Sequence, residues 1–169
     1  MNRFKYKITG MVVLLAALFF ITGCSSSHTA QTESSAVSDA NFNQNNWKFY
    51  PRSALPQNGI AKMVDASFFV SLMGDSLSVY LPYYGTNYGS SDIMSGKNPL
   101  DFNTNKIVLN KSRGKNNLWE IQVQPKGQDQ VDLMDFKFYT NGTASLYIRF
   151  TSRSSISYNG TVQGISSTK

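Results

Sequence analysis

Alternation with a period of two is the feature that most limits what this chain can become. In TASLYIRFT, Ala144, Leu146, Ile148 and Phe150 fall on one side, with Thr143, Ser145, Tyr147 and Arg149 between them. In LWEIQVQ, Trp119, Ile121 and Val123 alternate with Glu120, Gln122 and Gln124. In DSLSVYLPYYG, Leu77, Val79 and Leu81 share one side. A strand turns successive side chains to opposite faces, so these segments read as half-buried strands with one wet face. Asn141-Gly142 and Gly74-Asp75 lie between such runs and predict hairpin turns, because these residue types accept a positive φ. In VDLMDFKF the phase slips between Leu133 and Met134, which predicts a β-bulge.

On this basis the chain holds about eight strands, near 47–52, 67–73, 77–82, 106–110, 118–124, 131–140, 143–151 and 155–163. Short connections make them an antiparallel meander, and no useful helical period follows the first 23 residues. Strands with one apolar face must close on themselves or stack as two layers. The expected fold is therefore all-β, a barrel or two-layer sandwich, lipocalin-like in outline. A barrel of eight strands has room for one small ligand, so an apolar molecule in the interior is one candidate partner.

The first 23 residues follow a different logic. The basic opening MNRFKYK leads into the apolar run Met11–Ile21 and then Thr22-Gly23-Cys24. That run is too short for a comfortable membrane span but suits a signal-peptide core. Ile21-Thr22-Gly23-Cys24 resembles the lipobox of bacterial lipoproteins, with isoleucine where leucine is usual. The resemblance implies diacylglyceryl transfer to the Cys24 sulfur, cleavage between Gly23 and Cys24, and acylation of the new amino terminus with a chain such as palmitate. A thiolate is the strong soft nucleophile such chemistry needs. Two or three acyl chains, at about 0.8 kcal/mol per buried methylene, make such an anchor effectively permanent. No acidic run follows Cys24. In some lipoproteins such a run directs export to the cell surface, so its absence points to the outer membrane facing the periplasm.

The resulting domain plan has four parts. Residues 1–23 are a lipoprotein signal peptide, 24–46 a lipidated N-terminus and flexible tether, 47–163 the all-β domain and 164–169 a C-terminal tail. The tether is polar and lacks any period. Of the formal net charge of +6, Arg3, Lys5 and Lys7 of the leader supply three, which leaves +3 on the remainder. Lys111, Arg113 and Lys115 cluster, but Gly114 and Asn116-Asn117 mark them as a loop rather than a nucleic-acid face.

Several phrases together resemble one family of small exported bacterial proteins, the domain-of-unknown-function family DUF4251. They are Ala54-Leu55-Pro56, Tyr80-Leu81-Pro82-Tyr83-Tyr84-Gly85, Gly96 with Leu100-Asp101-Phe102, Asn141-Gly142-Thr143-Ala144, and Arg153-Ser154-Ser155-Ile156-Ser157-Tyr158-Asn159-Gly160. The resemblance spans residues 46–163 and departs from the family in the glycine-poor stretch 90–97. It implies an all-β exported domain and supplies no activity.

Chemistry-bearing residues are sparse. The sole histidine, His28, lies in the tether, so the folded part has no Ser-His-acid triad and no zinc-type ligand set. Asp129, Asp132 and Asp135 lack the calcium-loop spacing and its closing glutamate. No cofactor or metal is implied. Asp92 and Asp101 share one long loop and are the candidate carboxylate pair for a hydrolase. The same loop places Tyr83, Tyr84 and Tyr88 together, flat faces with polar tips suited to a glycan or protein partner. The structural alternative is that Leu81-Pro82-Tyr83 folds back to plug the barrel end. Asp75-Ser76-Leu77 resembles a bacterial O-glycan acceptor, with Ser76 as the modified residue.

These readings converge on a lipid-anchored, non-catalytic envelope protein that binds a small apolar ligand, a glycan or an envelope protein, with no nucleic acid. The alternatives are an envelope hydrolase using loop carboxylates and a purely structural envelope component.

Overall fold

The computed structural model describes residues 37–88, 98–128 and 130–166, all within one unit, residues 33–169. Cys24, the leader and Asp92 lie outside the described residues. A five-residue helix α1 (Asp39–Asn43) precedes ten strands. These are β1 (Asn46–Pro56), β2 (Lys62–Met63), β3 (Phe69–Met73), β4 (Ser76–Tyr80) and β5 (Asp101–Thr104). They continue as β6 (Ile107–Arg113), β7 (Trp119–Pro125), β8 (Val131–Phe138), β9 (Thr143–Phe150) and β10 (Ile156–Gly164).

All pairings are antiparallel, in the order β5-β4-β3-β1-β10-β9-β8-β7-β6, with β2 alongside β1. The sheet is nearly closed into a barrel, one of the two arrangements the alternation allowed. The route of closure explains why the expected count was lower. β5 and β6 are two halves of one run, 101–113, separated only by Asn105 and Lys106. The first half pairs with β4, Tyr80 opposite Asp101, and the second with β7, Arg113 opposite Trp119. With β5 and β6 counted together and β2 set aside, the barrel has eight staves. That even number lets an antiparallel meander close.

The alternation places the core. Leu77, Val79, Leu81, Trp119, Ile121, Val123, Ala144, Leu146, Ile148 and Phe150 are all buried. The centre is filled by rings: Trp47 meets Phe136 and Phe138 at 4.9 Å between centroids, both near 64°, and Phe49 meets Phe136 at 6.2 Å. Such edge-to-face contacts add to the large apolar area these side chains bury. The Trp47 indole nitrogen is buried there without a hydrogen-bond partner.

Both observed bulges sit on barrel strands. In β8 the register shifts between Val131 and Leu133, so Asp132 is the extra residue, slightly before the expected slip. In β1 it shifts between Pro51 and Ser53, with Arg52 extra. The inward set of β1 accordingly changes phase, from Trp47, Phe49 and Pro51 to Ala54 and Pro56.

One expectation is corrected. The flexible tether expected over residues 24–46 does not extend through its last part, where a helix at Asp39–Asn43 packs on the barrel. Ser38 caps α1 through a reciprocal pair with Asn41. Phe42 is buried, stacked on Phe138 at 5.1 Å and tilted against Trp119 at 5.6 Å. Asp39 accepts hydrogen bonds from the Trp119 indole (2.8 Å) and Arg113 (2.6 Å). Lys111 donates to the Phe42 and Asn43 carbonyls, where the cation meets the negative end of the helix. One phenylalanine in a polar stretch gives no period, but it buries enough apolar surface to dock a single turn. Phe42→Ala should therefore cost about 3 kcal/mol in urea denaturation. A residue in a free tether would give a change near zero.

Candidate functional site

The tyrosine loop folds inward. Leu81 is fully buried; its backbone N–H donates to the Leu100 carbonyl, and its carbonyl accepts from the Asn98 side-chain amide. The Tyr83 ring packs edge-on against Phe150 at 5.0 Å. Its hydroxyl lies 2.8 Å from the Ser154 carbonyl oxygen and 3.1 Å from that of Thr86. Buried Ser154 accepts in turn from the Thr86 N–H. A side chain at Gly85 would run into the Tyr83 hydroxyl and Ser154, so glycine there lets the loop fold back. Tyr84 has the Lys62 ammonium 4.7 Å from its ring centre. Only Tyr88 of the three stands well out, at 65% exposure. Leu81 and Tyr83 are thus packed into the fold, while Tyr88 is turned to solvent.

Beneath it, Tyr158 is fully buried and its hydroxyl donates to the Pro82 carbonyl at 2.7 Å. Burial pushes the Tyr158 phenol far above its ordinary value, and pushes Tyr83 up as well.

The other anticipated residues are dispersed. Ser76 opens β4 beside the Gly74-Asp75 turn and is exposed. Asp101 opens β5, exposed, at the rim of a groove of about 290 Å³ shared with Asn98, Gln128 and Gln130. No group of three or more metal-binding side chains occurs among the described residues. Lys111 and Arg113 are engaged by α1 as described above.

A different feature was missed in the sequence. Opposite the β1 bulge, Gly160 approaches so closely that a Cβ would strike the Tyr50 carbonyl oxygen and come within 2.9 Å of the Pro51 Cα. On its other edge β1 pairs with β3 through Asn46–Phe49 and with β2 through Ser53 and Ala54. Residues 50–52 fall between these ladders, where Pro51 has no N–H to leave unpaired. A groove of about 500 Å³ opens there, lined by Tyr50, Arg52, Met63, Val64, Thr161 and Gln163 among others. A second, of about 400 Å³, is lined by Arg52, Ser53, Tyr139, Thr143, Ser145 and Asn159 among others. Arg52 borders both.

The guanidinium is unspent. Arg113 pairs with Asp39, Arg149 with Asp132 at 2.6 Å, and Arg153 donates to Gln130 at 3.1 Å beside the Tyr83 ring. Among the described residues Arg52 alone of the arginines has no side-chain partner, and neither groove is lined by a carboxylate. A phase test on Trp47-Lys-Phe-Tyr-Pro-Arg-Ser-Ala54 would have found the bulge, since inward residues two apart cannot include both Phe49 and Ala54.

The sequence profile described as domain of unknown function (DUF4251) matches residues 29–162. No curated protein matches the chain. The crystal structure of a DUF4251 family protein from Bacteroides eggerthii is similar over 74% of this chain and 83% of that one. Its TM-score is 0.51 and its sequence identity 10%, a likeness of fold.

The phenol of Tyr158 supplies a prediction. A raised folded-state value makes its contribution complete below the ordinary tyrosine value of 10.0 and lost as pH rises above it. Tyr158→Phe should cost about 1 kcal/mol at pH 7 in urea denaturation and make the alkaline loss of stability shallower. An alkaline limb of unchanged steepness would contradict this.

Proposed function

The chain belongs to the DUF4251 family, and from that premise we propose a lipid-anchored, non-catalytic protein of the bacterial cell envelope that binds a glycan or protein partner on the outer wall of its barrel. The carrying observation is an arginine held on a built-in bulge between two grooves, without an acid to neutralise it. Aromatic filling of the interior supports an outside site over an inside one. Bulges commonly re-aim a side chain next to a functional site. The lipobox-like Ile21-Thr22-Gly23-Cys24 supports the anchor, with Cys24 spent on acyl chains and the barrel held at the outer membrane facing the periplasm.

Two measurements test the reading. Cys24→Ser should abolish palmitate labelling and move the protein out of the membrane fraction; undiminished label would overturn the anchor. On a panel of envelope saccharides and purified envelope proteins, the native chain should bind with micromolar affinity. Ser145→Trp, which fills one groove, should weaken that binding about tenfold or more, and Asp101→Asn should leave it unchanged. Equal binding by Ser145→Trp would move the site elsewhere, and hydrolysis abolished by Asp101→Asn would favour the enzyme reading.

A further inference from the structure

We propose that Arg52 is the recognition centre for a carboxylate-bearing oligosaccharide, a linear uronic-acid segment laid across β1, β10 and β9 with sugar rings in the grooves on either side of the guanidinium. The inference rests on the outer-wall reading above and gives it a ligand class. Three features of the surface select that class. The first is charge: the residues lining the two grooves include one cation and no anion. Lys48 adds positive charge nearby, its ammonium 5.1 Å from the centre of the Tyr50 ring. A planar guanidinium offers paired donors that match a carboxylate oxygen for oxygen.

The second is the lining. Ser53, Thr143, Ser145, Asn159, Thr161 and Gln163 present hydroxyl and amide groups along the wall. Such groups exchange hydrogen bonds with sugar hydroxyls in either direction. Tyr50 in one groove and Tyr139 in the other, the latter 43% exposed, supply ring surface for the apolar faces of pyranoses. A purely apolar ligand would strand these polar groups, and a cation would meet Arg52.

The third is rigidity. Arg52 leaves a strand, not a mobile tip, and the close approach of Gly160 on the neighbouring strand to Tyr50-Pro51 fixes the bulge from the side. The β8 bulge makes the contrast. Its extra residue, Asp132, is also charged and outward, but is paired with Arg149. The fold thus quenches the charge at one bulge and leaves it free at the other.

Calorimetric titration of the mature, lipidated protein tests the proposal, with trigalacturonate as probe and maltotriose as its neutral counterpart. Trigalacturonate should bind, weaker as salt rises, and maltotriose should bind at least tenfold less tightly. Arg52→Ala should lower trigalacturonate affinity about 10- to 100-fold, the loss of charge-assisted hydrogen bonds, and Arg52→Lys should recover part of it. Arg52 is exposed, so the melting temperature of each variant should match the parent and separates lost recognition from lost fold. Absence of trigalacturonate binding, or equal binding by Arg52→Ala, overturns the inference. If maltotriose binds as well, and Ser145→Trp but not Arg52→Ala abolishes it, the inference falls while the outer-wall reading stands. If Ser145→Trp changes nothing on either probe or on the envelope panel, both fall.

Discussion

The close approach of the Gly160 backbone to Tyr50 and Pro51 is the contact on which the rest of the barrel depends. β1 is the stave that joins the first and last parts of the meander, pairing with β10 on one edge and with β3 and β2 on the other. It is also longer than a regular pleat can keep in phase with this sequence. Without an extra residue at Arg52, Ala54 and Pro56 would turn outward while Trp47 and Phe49 stayed in. The bulge reconciles the halves, and Gly160, which has no side chain, fits against Tyr50 and Pro51 there. Folding and exposure of Arg52 are thus two results of one local arrangement.

Alternation made the wall of the barrel legible and left its closures obscure. Trp119, Ile121 and Val123 face inward as period two demands, and the same holds for the four inward residues of β9. What escaped was structure with too few residues to carry a period. β2 is two residues long, β5 four, and α1 five with a single buried ring. Each is held by partners distant in sequence: Met63 by Ser53, Asp101 by Tyr80, Asp39 by Trp119 and Arg113. The Arg52 site was hidden for the same reason. Its surroundings come from β1, β9, β10 and the 63–66 segment, which sequence order keeps apart.

The phrases that carry the family resemblance describe these closures. Tyr83 and Gly85 interlock with Ser154, Pro82 receives the Tyr158 hydroxyl, and Leu81 is held by Asn98 and Leu100. Gly160 abuts Pro51, and Asn141-Gly142 turns β8 into β9, with Gly142 at a φ of 82°. They are the vocabulary of one way of plugging and joining a barrel. Leu81 and Tyr83 of the tyrosine-rich loop serve packing, and these phrases of the family signature therefore speak to architecture.

Stability offers no account of Arg52. Exposed ion pairs contribute little in any case, about 0–1 kcal/mol, so a lone exposed arginine neither holds the barrel together nor much weakens it. A polar uncharged residue would satisfy the bulge equally well, since the geometry asks only for an outward side chain at that place. The other three described arginines each settle against a group of the protein itself: Asp39, Asp132, or Gln130 beside Tyr83. The remaining one stands between two hydroxyl-lined hollows on a fixed base. The proposed anionic ligand would give that charge a partner, and an anion among hydroxyl groups is what such a wall would receive at least cost in desolvation.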